Sequence, residues 1–463
     1  MEPKPEVNKR RNKRPKLRAN TKLDLFALKF PPEIASHIFS LFMNEYDHED
    51  STLRRLPSPF ILGSVCKGWR QLALSTPQLW STISFTLTKP RKWTRNEAFL
   101  QFINDWLQRS RSLPLDLWVY DYRGNGRPLS QAQYLPIIDA LNQHSGRWRT
   151  LHLSLRTPSF FHLFCGASPP SNLRSLQLIA WRGSDFSTTF RMHSRPSPTH
   201  LTIDTFFMLD LDIMWDSLKH LTLRAWTTNF DKCIGIMQQA PQLESYSLST
   251  YSGTVISPLS KPIVRHMYLR KLKLFNCSDC SLRFLTEFLN LMELPSLEEY
   301  YYQSQEGDIL ADSVISLLNR SGSHLKVLHL ELGEKASAME DINKLLNAVP
   351  YLQKFQLELR RRGPKTAFIM DDLFLQLSSS PPILEGGTPG LLPNLQSLTL
   401  YSGEGYKFDC IPDIFSWPHR KILSLKVDGS RPINLDKDTL RKISKLIDQE
   451  FKIRILRDEI SYF

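Results

Sequence analysis

The sequence predicts an α/β chain: a short all-helical module near the N-terminus, then a solenoid with parallel strands on its concave side and helices on its convex side. Three observations carry this prediction. A six-residue unit, apolar-x-x-apolar-x-apolar, recurs eleven times between Trp148 and Val427. Apolar residues between several copies fall at helical spacing. Ahead of the array, two stretches between Phe30 and Ile83 carry apolar residues at helical spacing without strand alternation.

Residues 1–24 read as a disordered basic arm. The first 18 hold eight Lys or Arg against Glu2 and Glu6 and show no hydrophobic period, so they bury too little apolar surface to order themselves. Lys9, Arg10, Arg11, Lys13, Arg14 and Lys16 make the arm a nuclear-import candidate or a phosphate-attracting patch; a solvated tail with no address reads equally well. No aromatic residue interleaves the basic ones to stack on bases, which counts against nucleic acid.

Residues 25–84 form the helical module. Ile34, Ile38, Leu41 and Phe42 stand at i, i+4, i+7 and i+8 and share one helix face. Pro31 and Pro32 precede them, where the first amides of a helix have no intrahelical partner to lose. Leu62, Val65, Cys66, Trp69 and Leu72 repeat the spacing until Pro77 ends the run, and residues 43–60 form a long link between the two pieces. So small a module buries little core and completes itself against a neighbour or a partner.

Residues 85–463 are predicted to form the solenoid, with an insertion around 361–392. Ala98, Phe99, Phe102, Ile103 and Trp106 mark a helix, after a basic turn at Lys89-Pro90-Arg91-Lys92, and Leu113 to Val119 alternates as a strand. The six-residue unit then begins at Trp148, Leu173, Pro198, Leu218, Leu243, Leu269, Leu297, Leu325, Leu352, Leu395 and Ile422, at separations of 25, 25, 20, 25, 26, 28, 28, 27, 43 and 27. One strand with its return segment cannot bury its apolar side alone; stacked copies share a core. Leu285, Phe288, Leu289 and Met292, then Val314, Leu317 and Leu318, then Ile342, Leu345, Leu346 and Val349, place helices in the returns. The long gap holds a helix near Ala367 to Leu377 and a Ser-, Pro- and Gly-rich loop from Ser378 to Gly390. A helix over 436–449, opening at Asp436 or Asp438, and a strand from Phe451 to Ile455 close the array.

Composition narrows the function classes. The 463 residues carry a formal net charge of +13, of which the first 18 supply +6, so the body is only mildly basic. The six cysteines (66, 165, 233, 277, 280 and 410) are mostly isolated in apolar runs, which fits reduced thiols in an intracellular protein, cytoplasmic or nuclear, better than a disulfide scaffold. Neither a signal peptide nor a membrane-spanning run is indicated.

Two resemblances follow. Phe30-Pro31-Pro32-Glu33-Ile34, Ile38-Phe39, Val65-Cys66-Lys67-Gly68-Trp69-Arg70-Gln71-Leu72-Ala73 and Leu79-Trp80, in this order, resemble an F-box. The six-residue unit and its period resemble leucine-rich repeats, whose units run about 20–29 residues. The chain departs from these patterns at Phe30, where the F-box usually has leucine, and in its long link. It departs again in the repeat turns, where only Cys277 supplies the Asn or Cys expected; Trp181, Trp226, Tyr251, Gly333 or Gly403 stand elsewhere. Together the resemblances imply a substrate-recognition subunit of an SCF-type cullin–RING ubiquitin ligase. Phe30, Pro31, Ile34, Ile38, Phe39, Leu62, Val65, Trp69 and Leu72 would dock on a Skp-type adaptor, and the repeats would hold a target protein near the ubiquitin-charged enzyme. The mechanism would be proximity, with no catalytic residue in this chain. A repeat-based interaction scaffold outside any ligase, or a nuclear protein associating with nucleic acid through the arm, are the other readings.

The remaining chemistry points to binding. No P-loop, nucleophile elbow, His-Glu-x-x-His or dinucleotide fingerprint occurs, so neither an enzyme nor a cofactor is expected. Cys277 and Cys280 have the spacing of half a zinc site, but no second pair completes it, and no metal is expected. Glu49-Asp50 and Asp371-Asp372 read as solvated or capping pairs. In each strand unit the residue between the last two apolar positions points away from the core. Stacking aligns His152, Gln177, Thr202, Thr222, Ser247, Lys273, Tyr301, His329, Gln356, Thr399 and Lys426 in one column, with His200 and His220 also at flanking strand positions. Within this face Lys271, Lys273, Phe275 and Tyr301 form the candidate target-binding cluster, because aromatic residues beside cations are enriched in interface hot spots.

Overall fold

The computed structural model describes residues 30–44, 59–89, 96–121, 127–128, 131–156, 158–169, 172–180, 189–207, 210–254, 263–276, 279–305, 307–333, 339–360, 364–379, 390–402, 408–429, 436–457 and 460–461. The basic arm with its import candidate, most of the long link including Glu49 and Asp50, Cys277 and most of the Ser-, Pro- and Gly-rich loop lie outside them. The chain divides into two compact units: residues 1–84 with 101–113, and residues 85–100 with 114–463.

The first unit contains α1 (Pro32–Asn44), α2 (Pro59–Gly63), α3 (Lys67–Ser75) and a 3-10 turn, Pro77–Trp80. Cys66 caps α3, its sulfur accepting a hydrogen bond from the Trp69 amide at 3.3 Å. Arg70 Nε donates to the Gly63 carbonyl at 2.8 Å and ties α3 back to α2. At the centre, the buried Trp80 donates its indole N–H to the Ala73 carbonyl at 2.8 Å. Its ring lies 4.9 Å from that of Trp106 and 5.4 Å from that of Phe60. Trp106 belongs to α4 (Asn96–Arg109). The sequence reading ended the helical module at residue 84; the later half of α4 clusters with it because Trp80 is a large ring that needs aromatic cover.

In the second unit a 15-stranded sheet runs in chain order. It comprises β1 (Thr82–Thr86), which straddles the division, β2 (Leu115–Tyr120), β3 (Trp148–Leu155), β4 (Ser175–Ala180), β5 (His200–Phe207), β6 (His220–Asn229), β7 (Ser245–Thr254), β8 (Lys271–Asn276), β9 (Glu299–Ser304), β10 (Val327–Leu332), β11 (Lys354–Leu359), β12 (Ser397–Ser402), β13 (Ser424–Gly429), β14 (Lys452–Arg457) and β15 (Ile460–Ser461). Neighbours from β2 to β14 pair parallel, and β15 turns back antiparallel. This α/β architecture with a large parallel sheet is compatible with a solenoid-like arrangement.

Every copy of the six-residue unit lies on a strand, which begins at the unit's third residue except in β3, where Trp148 opens it. The alternation is the strand's own: Leu328, Leu330 and Leu332 are buried, while Val327, His329 and Glu331 are half-buried. The unit's first residue, two before the strand, is also buried at Leu173, Leu218, Leu269, Leu325 and Leu395. The last copy departs from this rule. Ile422 is 66% exposed and Leu423 takes the buried place, because a 3-10 turn over Pro418–Arg420 brings the Leu423 amide onto the Arg420 carbonyl at 3.0 Å.

The returns are less uniform than their sequence suggests. Helices α5 (Gln131–Asn142), α6 (Phe230–Gln239), α7 (Asp279–Asn290), α8 (Ala311–Ser321), α9 (Met339–Asn347), α10 (Pro364–Ser378), α11 (Ile411–Ile414) and α12 (Lys437–Asp448) occupy some of them. After β3 the described return holds a 3-10 helix, Pro158–Leu163, and the returns after β4 and β5 hold two short strands, Thr189–Arg191 and Asp210–Asp212, paired parallel with each other. In the described parts of these returns, shorter elements stand in place of the helices expected on the outer side of the array. Asp371 and Asp372 lie inside α10, where Asp372 accepts from Gln376 Nε2 at 2.8 Å. α12 opens on Asp436, whose carboxylate accepts from the Asp438 and Thr439 amides.

Candidate functional site

Two surfaces concentrate the residues that the sequence singles out. The first is α1. Ile34, Ile38, Leu41 and Phe42 are 37–55% exposed, so the face inferred from their spacing is an apolar stripe open to solvent. Phe30 and Val65 are exposed as well, as is Pro31. Phe39 and Leu62 are not part of that stripe. Both are buried within the unit, and this corrects their assignment to a docking face. The reason is angular: Phe39 follows Ala35 by four residues, and this pair lies about one hundred degrees round α1 from the stripe and turns inward. Trp69 and Leu72 are half-buried, and the Trp69 ring packs on Phe39 at 4.9 Å.

The second surface is the polar face of the sheet. Pairing aligns the predicted column residue by residue, from His152 and Gln177 through Thr202, Thr222, Ser247, Lys273, Tyr301, His329, Gln356 and Thr399 to Lys426. It extends one strand further each way, to Trp118 and Arg454. The sequence reading missed both ends because β2 and β14 lack the full unit. His152 is buried rather than open: it stacks on Trp118 at 4.6 Å and bonds Gln177 Oε1 through Nδ1 at 2.7 Å. His200 and His220 stack on each other at 4.3 Å.

The candidate cluster is assembled around Tyr301. Lys271 Nζ lies 4.7 Å and Lys273 Nζ 5.0 Å from the Tyr301 ring centroid, a cation–π arrangement. Lys271 also pairs with Glu299 at 2.7 Å. Burial lowers the Lys271 pKa, but the Glu299 hydrogen bond and Tyr301 outweigh it, and the net shift is upward. Phe275 is aligned with Gln303 instead of Tyr301, one step further along the strand.

Beyond Tyr301 the face turns acidic. The His329 ring lies 5.1 Å from that of Tyr301. Glu331 follows His329 on the same side of β10, and Glu358 of β11 is aligned with Glu331. Burial and the Glu358 charge raise the Glu331 pKa, while Arg360 opposes them; burial, then Lys273, lowers that of His329. Glu331 and Glu358 are 27 residues apart in sequence, and only the register of the sheet brings them together.

Cysteines 66, 165, 233 and 410 are not joined in disulfides. Cys233 is fully buried and its pKa is pushed up to about 12, so it stays protonated. No described helix is long and apolar enough to cross a membrane.

Compared with known proteins, the chain matches no protein-family model and no curated protein.

Proposed function

We propose that this chain is a substrate receptor of an SCF-type ubiquitin ligase. Residues 30–80 would hold a Skp-type adaptor, and the polar face of the sheet would hold a target protein. The observation that carries this reading is the outward stripe of α1. Its residues belong to the stretch that resembles an F-box, and an apolar stripe left in water on a small helical unit is what a docking face requires. The parallel sheet, with its polar column and the Lys271, Lys273 and Tyr301 cluster, supplies the second surface that a receptor needs. No step of catalysis is assigned to the chain; its contribution is to raise the local concentration of a target lysine beside the charged enzyme.

Co-purification of the intact chain with a Skp-type adaptor tests the reading. The wild type retains the adaptor and Ile34→Asp loses it, with an unchanged melting temperature because Ile34 is already half exposed. Lys271→Glu keeps the adaptor. Failure of the wild type to retain any adaptor overturns the ligase reading and leaves an interaction scaffold.

A further inference from the structure

His329, Glu331 and Glu358 present one imidazole nitrogen and two carboxylate oxygens within 4.8 Å of one another. His329 and Glu331 are two residues apart on β10 and so project on one side, and Glu358 stands beside Glu331 on the parallel neighbour β11. The His329 Nε2 atom is shielded from solvent and has no hydrogen-bond partner, a costly state for a polar atom. Two carboxylates directly across a strand pair also repel each other. Among the described residues Arg360 faces them: its Nε pairs with Glu331 and lies 3.4 Å from Glu358. Arg360 Nε is engaged with the carboxylates, and His329 Nε2 is left without a partner.

We propose that His329, Glu331 and Glu358 form a three-ligand site for a divalent transition-metal ion of the zinc class, with Arg360 as the competing cation that the metal displaces. One nitrogen and two oxygens, with no thiolate, suit zinc and its neighbours better than copper(I) and, through the imidazole, better than magnesium or calcium. Zinc bonds to such atoms measure about 2.0–2.2 Å, so the three donors must close inward from their present spacing. Rotation about the long glutamate side chains on two fixed strands supplies that movement. A fourth position stays open toward the half-exposed face, for water or for a donor from a bound partner. The site stands whether or not the chain joins a ligase.

Isothermal titration of the intact chain with Zn²⁺, and with Mg²⁺ and Ca²⁺ as controls, tests the proposal, alongside Co²⁺ absorption spectra that report ligand geometry. One zinc ion is expected per chain. His329→Gln, Glu331→Gln and Glu358→Gln, each with the wild-type circular dichroism spectrum, should weaken it at least tenfold and alter the cobalt spectrum. Arg360→Ala should tighten it several-fold. Zinc binding that survives the Glu331→Gln/Glu358→Gln double variant overturns the site, because the ion then sits elsewhere. Zinc binding to Arg360→Ala alone, with none to the wild type, also overturns it, because the guanidinium then owns the carboxylate pair.

Discussion

At the scale of single residues, two glycines show how differently one atom can matter. A Cβ on Gly333 would come 1.8 Å from the Gln305 carbonyl oxygen, and the Gly333 amide already donates to the Ser304 carbonyl at 2.7 Å. The backbone of one repeat passes directly over that of the next, at a turn where the repeat pattern called for asparagine or cysteine. Gly333→Ala must push the two backbones apart, and chemical denaturation should show a loss of several kcal/mol, at the upper end of single-substitution effects. Gly235 is the opposite case: it lies in α6 with open space where its Cβ would stand. Gly235→Ala should gain about 0.5–1 kcal/mol by the same measurement, since alanine restricts the unfolded chain and favours the helix. Gly333 was visible in the sequence as a departure from the repeat pattern; the close approach that demands it was not.

At the scale of the element, a strand here has two faces with different sensitivity. Leu330 is fully buried, and His329 beside it is half-buried on the polar side. Leu330→Ala should cost about 2–5 kcal/mol, as large-to-small changes in a packed core do. His329→Gln should leave the denaturation midpoint nearly unchanged. The strands were legible because leucines spaced three and then two residues apart report locally which side chains turn inward. Two of the longer helices escaped that kind of reading. α5 carries Pro136 within it, which hides a helix from pattern reasoning, and α6 carries Gly235. On α1 the exposed stripe was legible from its spacing. The burial of Phe39 was not, because a second apolar face one hundred degrees round the helix looks the same in one dimension until a neighbour covers it.

At the scale of the whole molecule, the ionisable groups set a pH dependence. Burial lowers the pKa of His144, His152, His200, His266, His329 and His419. His266 is the clearest: it is buried, and its Nε2 bonds the Ala240 carbonyl at 2.8 Å. These imidazoles stay neutral in the fold while the unfolded chain takes up protons near pH 6.5. The unfolded state therefore binds more protons below that value, and stability must fall as the pH drops from about 7 toward 5.5. Urea midpoints measured across this range should decline, and His266→Gln should make the decline shallower. Asp121, Asp204 and Glu331, whose pKa values burial raises, act in the opposite sense at lower pH.

The sequence by itself determined the α/β class, the eleven strands, the side of each that faces the core and the helix face of Ile34, Ile38, Leu41 and Phe42. All of these follow from short-range periodicity, which a strand or helix imposes on its own residues. Only the tertiary structure decided that α4 lends Trp106 to the helical unit, that Phe39 and Leu62 turn inward, and that His329, Glu331 and Glu358 converge. Those depend on which segments pack together and in which register, and contacts between residues far apart in the chain leave no local pattern to read.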